Sequence, residues 1–296
     1  MFDLRYHVAS LAAVFFALVI GILVGVALAS HGLGQSERKS LEDDVRRAEN
    51  RVDALQAQVD SLHQSNVADA TFVGSTYNAL MTDRLKGKRI AVLFVGSVNH
   101  RVQSDISTAI KDAGGRGALR LYAVQVPIDA TALEQRLANR PALAKYAGDD
   151  QLRHLGRQLG SEFVDGDEAP LWSALHNVIV QEATPRFGAT KRRADGVIVV
   201  RTADPQTGET APFVKGLYEG LADAGVPAVG VAESKSDFTA RTVFQQAQLS
   251  TVDDIDLAAG KLALAIVLSE PASRADYGIG VGDLLPPVTP VLTPSG

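Results

Sequence analysis

The sequence contains no cysteine and only two methionines, Met1 and Met81. Disulfides, thiolate metal sites and cysteine nucleophiles are therefore excluded, and so is a thioether-rich site for a soft metal ion. The six histidines, His7, His31, His63, His100, His154 and His176, never fall at i, i+3 or i+4 spacing. No single helix can then offer a histidine pair to a metal. Positive charge is not in excess either. The net charge is −5, which argues against a nucleic-acid partner, whose binding surfaces are basic. The signatures of phosphate binding and serine catalysis are also missing: there is no G-x-G-x-x-G, no G-x-x-x-x-G-K-[ST] and no G-x-S-x-G.

What remains is ordinary in bulk and patterned in detail. The 296 residues are 46% hydrophobic and 21% charged, so the chain can bury a core, and it has room for a tether and one full domain. Residues 1–7 form a short N-terminal tail. From Val8 to Ala29 the sequence runs 22 residues without a charge. At about 1.5 Å per residue such a helix covers the roughly 30 Å hydrocarbon core of a bilayer, so a transmembrane helix is expected over 8–29. The rival reading is a cleaved leader ending at Ala27-Leu28-Ala29. Leader cores are usually about 7–15 residues, however, and the opening MFDLRYH is weakly basic. Ala13, Ala17, Gly21, Gly25 and Ala29 recur every fourth residue and form a small-residue ridge on which two membrane helices can approach closely.

A charged stretch follows, expected as a coiled coil over 36–66. Leu41, Val45, Ala48, Val52, Leu55, Val59 and Leu62 alternate spacings of four and three, an a/d seam with valine at a and mostly leucine at d. β-Branched a residues with leucine at d favour a parallel two-stranded coil. The alternative is an amphipathic helix packed on its own domain. With the membrane ridge, the seam predicts a parallel homodimer. Orientation is not fixed by charge. Arg38, Lys39, Arg46 and Arg47 after the membrane run would hold the C-terminal part in the cytoplasm, yet long domains translocate regardless of nearby charge.

Residues 85–285 read as an α/β domain, followed by a Pro-rich tail over 286–296 expected to be disordered. A continuous apolar run predicts a buried parallel strand at Ile90–Val95, and further strands are read at Leu119–Val126, Ala194–Val200 and Val226–Val231. Helices are expected at Val102–Ala113, through most of Ala132–Glu182, at Ala211–Ala224 and, amphipathic, at Leu257–Leu268. Strands alternating with helices specify a doubly wound, mostly parallel sheet. Ligands of such sheets bind at strand C-termini, which makes Gly96, Ser97, Asn99, Thr202 and Asp204 the candidate crevice residues. They read as turn residues of a binding or scaffolding domain, with no catalytic residue and no cofactor. Asp253 and Asp254 precede an expected helix start, where carboxylates suit the helix dipole.

Several segments resemble the MctB copper-transport family. The opening LRYHVASLAAVFFALVIGILVG is similar in order and residue type. More specific are Ser250-Thr251-Val252-Asp253-Asp254-Ile255-Asp256, the following Ala259-Gly260-Lys261 with LALAIVL, and the close Tyr277-Gly278-Ile279-Gly280 with Leu284-Leu285-Pro286-Pro287. The resemblance implies copper homeostasis or efflux at the cell envelope, with a copper ion as partner, a single span in the plasma membrane and the α/β domain outside it. Some members have been regarded as outer-membrane channels. A membrane barrel needs a series of roughly ten-residue alternating strands, and the sequence contains none. Similar proteins are also linked to envelope assembly and division as partners of a membrane protein, which implies a second expectation: a dimeric, non-catalytic scaffold.

Overall fold

The six apolar residues Ile90–Val95 form strand β1, every one of them buried. Their alternation divides the core. Ala91, Leu93 and Val95 enter one apolar layer, and Ile90, Val92 and Phe94 enter the other. The computed structural model describes residues 4–28, 34–148, 151–166, 169–186, 190–235, 239–270, 274–279 and 283–287. The chain divides into two units, Met1–Ala70 and Thr71–Gly296.

In the first unit lies helix α1 (Leu4–Leu28) and the beginning of α2 (Gly34–Met81), within which the division falls. Residues Val8–Leu28 of α1 are long and apolar enough to cross a membrane. Ala13, Ala17, Gly21 and Gly25 are exposed on α1, while Ala29 lies outside the described residues. The α2 seam residues Leu41, Val45, Val52, Leu55, Val59 and Leu62 are 49–63% exposed. The helix runs on past Asn66, where the heptad fades, to Met81.

The second unit is a seven-stranded sheet. β1 pairs in parallel with β2 (Ala118–Val124) on one side and β4 (Gly196–Arg201) on the other. β5 (Ala228–Val231), β6 (Ser250–Val252) and β7 (Asp276–Tyr277) extend the β4 side in parallel, and β3 (Val180–Thr184) caps the β2 edge antiparallel. The order is β3-β2-β1-β4-β5-β6-β7. One face carries α3 (His100–Asp112) and α9 (Ala258–Ser269), joined by Met81 and Leu85; the other carries α4 (Ala130–Ala138), α5 (Leu152–Asp165), α6 (Pro170–Ile179), α7 (Thr210–Ala222) and α8 (Thr239–Gln246).

One expectation gains a boundary and one is corrected. The span Ala132–Glu182 is mainly helical but not to its end, because Val180–Thr184 pairs with β2. Nor is α9 amphipathic: Leu262 to Leu268 are all buried, since the helix lies against the sheet beneath α3 and Tyr277. The small-residue spacing seen in α1 recurs in the soluble domain. Gly156 and Gly160 of α5 meet Gly216 and Gly220 of α7 so closely that an added Cβ would lie 2.1 Å from the Phe213 carbonyl oxygen at Gly156 and 1.9 Å from the Arg157 carbonyl oxygen at Gly220. The ion pairs Arg153–Glu219 (2.6 Å) and Arg157–Asp223 (2.5 Å) flank this crossing.

Overpacking a backbone-to-backbone contact costs about 1–3 kcal/mol or more. Gly156→Ala and Gly220→Ala should each lower the unfolding free energy of the full chain in detergent by that amount, seen as a lower urea midpoint. The fluorescence of Trp172, the one tryptophan and 1% exposed, is the readout. Gly74→Ala, with nothing within 4 Å of its added Cβ, should cause no loss.

Candidate functional site

The sheet order reverses at the β1/β4 pair: from β1 the chain crosses to β2, whereas β4 leads outward to β5 and β6. A crevice opens at the strand C-termini of such a switch point. Its floor is the turn after β1 and the segment after β4. Gly96 has φ +108, and a Cβ there would meet the Thr202 Oγ1 at 2.6 Å and the Ala203 nitrogen at 2.8 Å, so glycine is required for both conformation and closeness. Thr202 Oγ1 donates to the Ser97 carbonyl at 2.6 Å, and the Thr202 and Ala203 N–H groups donate to the Val95 carbonyl at 3.0 and 3.2 Å. Asn99 caps α3, its Oδ1 accepting from the Arg101 and Val102 N–H groups at 3.0 and 3.3 Å.

Four of the five residues picked out from sequence therefore act on their own backbone. Gly96, Ser97 and Thr202 bind the two central strand ends together, and Asn99 occupies the helix N–H groups that would otherwise receive a phosphate. Asp204 is exposed and lines cavities on both sides of residues 201–205. The larger, about 530 Å³, is bounded by Ser97, Asn99, Val102, Thr202, Glu233 and Ala240. The smaller, about 210 Å³, lies against α7 and α8 and is lined by Val95, Arg201, Val214, Lys215, Tyr218 and Val243, among others. The signal that could have found Arg201 is its charge directly after the apolar run of β4. Lys215 and Tyr218 sit on α7 at i and i+3, one face of a helix, and nothing local in sequence aims that face at the strand ends.

Tyr218 is fully buried and its hydroxyl has no hydrogen-bond partner among the described residues. Burial pushes its pKa up. Glu162, 5% exposed, accepts from the Leu171 and Trp172 N–H groups at 3.0 and 3.3 Å and thereby caps α6 from a neighbouring helix. Burial pushes this carboxyl up to about 7 against the pull of those two donors.

The acidic segment after β6 departs from expectation. Asp253 pairs with Arg241, and Asp256 accepts from the Ser234 N–H and Oγ, both at 2.7 Å. Asp254 does not serve the α9 dipole as an exposed carboxylate would. It is 0% exposed and neither carboxylate oxygen has a hydrogen-bond partner among the described residues. Gly260 permits this closure, since a Cβ there would stand 2.5 Å from Asp254 Oδ1. Burial, then the charges of Asp253 and Asp256, push the Asp254 carboxyl up to about 6. Among the described residues no group of three His, Asp or Glu is placed to hold a metal ion.

Fold and crevice define a class: an open, doubly wound α/β domain with the strand order of the dinucleotide-binding proteins but a first turn closed to phosphate, in a chain with, among the described residues, one helix both long and apolar enough to span a membrane. The chain belongs to the MctB family, described as "Copper transport outer membrane protein, MctB", whose model matches residues 1–286. It is similar to the proteins named copper transporter MctB from Mycobacterium bovis and Mycobacterium tuberculosis. Each is 23% identical over 320 residues, covering 95% of this chain and 98% of the relative.

The Asp254 carboxyl, raised in the fold above its ordinary 3.8, penalises the folded state when ionised. The penalty applies in full above about pH 6, is relieved as pH falls through that value, and vanishes below about 4; its size is on the order of 3 kcal/mol. Asp254→Asn should raise urea stability at about pH 7.5 by that order and leave it unchanged near pH 4. An equal gain at both pH values would refute the assignment.

Proposed function

We propose that the protein serves copper transport at the cell envelope, in the direction of efflux, as a single-span plasma-membrane protein that pairs with a second copy and carries its α/β domain outside the membrane. One observation carries this reading: the family named for copper transport matches the chain from its apolar helix to the end of the sheet domain. Copper is cargo here. The chain offers no thiolate, and of its two thioethers Met81 is 0% exposed in the core, so we read the chain as acting on copper with partners rather than caging the ion in sulfur ligands.

The second reading is a non-catalytic scaffold that presents the α/β domain to an envelope or division partner. The exposed α2 seam favours it, since apolar heptad residues left at 49–63% exposure are covered when two coils pair. Pairing serves both readings, and membrane tethering raises the effective concentration of the partner helix.

Deleting the gene should lower copper tolerance and raise cell-associated copper, and the intact chain should restore both. Unchanged copper tolerance together with defects in division or envelope integrity would replace the first reading with the second. In detergent the full chain should scatter light as a dimer, and the pair Val52→Glu and Val59→Glu should convert it to a monomer while the Trp172 unfolding transition of the α/β domain stays unchanged.

A further inference from the structure

At the end of the sheet opposite the crevice, charge of one sign collects. β1, β2 and β4 begin side by side there, since Ile90 pairs with Ala118 and with Gly196, and antiparallel β3 ends beside them, since Thr184 pairs with Leu121. Just outside these pairs stand Arg186 after β3, Arg116 before β2, Lys88 before β1, and Lys191 and Arg192 before β4, all exposed. None of them forms an ion pair among the described residues. The described acids of this edge are already engaged: Asp195 by Arg89, Asp165 by Arg193 and Asp83 by Lys86. Beneath the row lies Arg120, 3% exposed, whose guanidinium donates to the Phe163 and Arg192 carbonyls and to no carboxylate among the described residues. The chain as a whole carries −5, so the fold and not the composition concentrates this positive charge.

We propose that this edge binds a linear phosphate polymer laid across the ends of β3, β2, β1 and β4. Neighbouring strands lie about 4.8 Å apart, so the cations spread along a line of roughly 15 Å. A single phosphate or carboxylate would meet one or two of them, whereas a chain of anions meets them in succession. The arginines can each grip two phosphate oxygens, and the lysines act as point charges. Arg120 adds to the field from within, where its charge is less screened than at the surface. Membrane-surface binding adds buried apolar area to charge, and none of the exposed large apolar residues belongs to this edge among the described residues. Nor does an exposed aromatic residue among those described here offer nucleobases a stacking platform, so what is read is backbone charge. The inference goes beyond the copper reading and does not depend on it.

The test is isothermal titration of the full chain in neutral detergent with short-chain inorganic polyphosphate. A Kd of about 10 μM near 0.1 M salt is expected, weakening about tenfold or more when the salt is tripled. Joint reversal of Lys88→Glu, Arg116→Glu and Lys191→Glu should weaken binding about 100-fold while the Trp172 unfolding transition is retained. The milder pair Lys88→Gln and Arg116→Gln should weaken it about tenfold. The same reversal at Arg101, Lys215 and Lys235, exposed at the strand C-terminal end, changes net charge equally and should weaken it less than about threefold. Failure of polyphosphate to bind the unaltered chain, or equal effects of the two triple reversals, would overturn the proposal. So would tighter binding of poly-glutamate, of oligothymidylate or of mixed micelles carrying phosphatidylglycerol, which would assign the edge to an acidic protein, a nucleic acid or a membrane instead.

Discussion

The contact on which one whole face of the α/β domain depends is the crossing of α5 and α7. Gly156 and Gly160 lie against Gly216 and Gly220 with room for no side chain, so backbone meets backbone. At that distance dispersion is dense and weak Cα–H···O contacts become available, but any added carbon must push the helices apart. The flanking pairs Arg153–Glu219 and Arg157–Asp223 reach solvent through their arginines and contribute little beyond orientation. The consequences spread from both helices. α5 carries Glu162, which caps α6, and its end at Gly166 closes over the guanidinium of the buried Arg120, which donates to the Phe163 carbonyl at 3.1 Å. α7 carries Lys215 and Tyr218 to the strand ends. A shift of one helix would move the α6 cap and the cavity wall together.

The same strand ends explain why a dinucleotide-like strand order does not bring dinucleotide chemistry with it. In such folds a glycine-rich turn leaves helix N–H groups free for a pyrophosphate. Here Asn99 takes those groups, and Thr202 ties the turn to β4 through the Ser97 and Val95 carbonyls. The architecture is kept and the phosphate cradle is closed, a plain instance of fold and function parting. What the crevice retains is space on either side of residues 201–205, with Arg201 and Asp204 shared by both cavities.

How much of this was legible in the sequence follows from which forces act locally. β1 announced itself as a continuous apolar run, and β2, β4 and β5 as largely apolar stretches, because parallel strands are covered on both faces. β3, reading VQEAT, is an edge strand with three of its five residues exposed, and β6 and β7 are too short to carry a period. α9 was misjudged because full burial removes the polar stripe by which a helix is recognised. The crevice location followed from topology alone, but the roles of its residues did not. Whether Thr202 faces a ligand or the Ser97 carbonyl is set by a strand more than a hundred residues away. Asp254 misled for a different reason: Gly260 is close in sequence, but its backbone approach to the aspartate is set by the turn into α9 and not by any period of residue types.

Small residues at every fourth position occur twice in this chain, and the contrast is instructive. On α5 and α7 the spacing is satisfied within the domain, each glycine meeting carbonyl oxygens of the opposing helix. On α1 the same spacing at Ala13, Ala17, Gly21 and Gly25 is exposed, and Gly21 and Gly25 have nothing within 4 Å of an added Cβ. In lipid no hydrophobic force drives helices together, so close backbone approach across such a ridge is a main source of association. The α5–α7 crossing shows in this chain the kind of close approach that the pairing proposed above would use at the α1 ridge. The exposed heptad seam of α2 bears on the same proposal by an independent route, since burial of the seam depends on water and packing of the ridge depends on lipid.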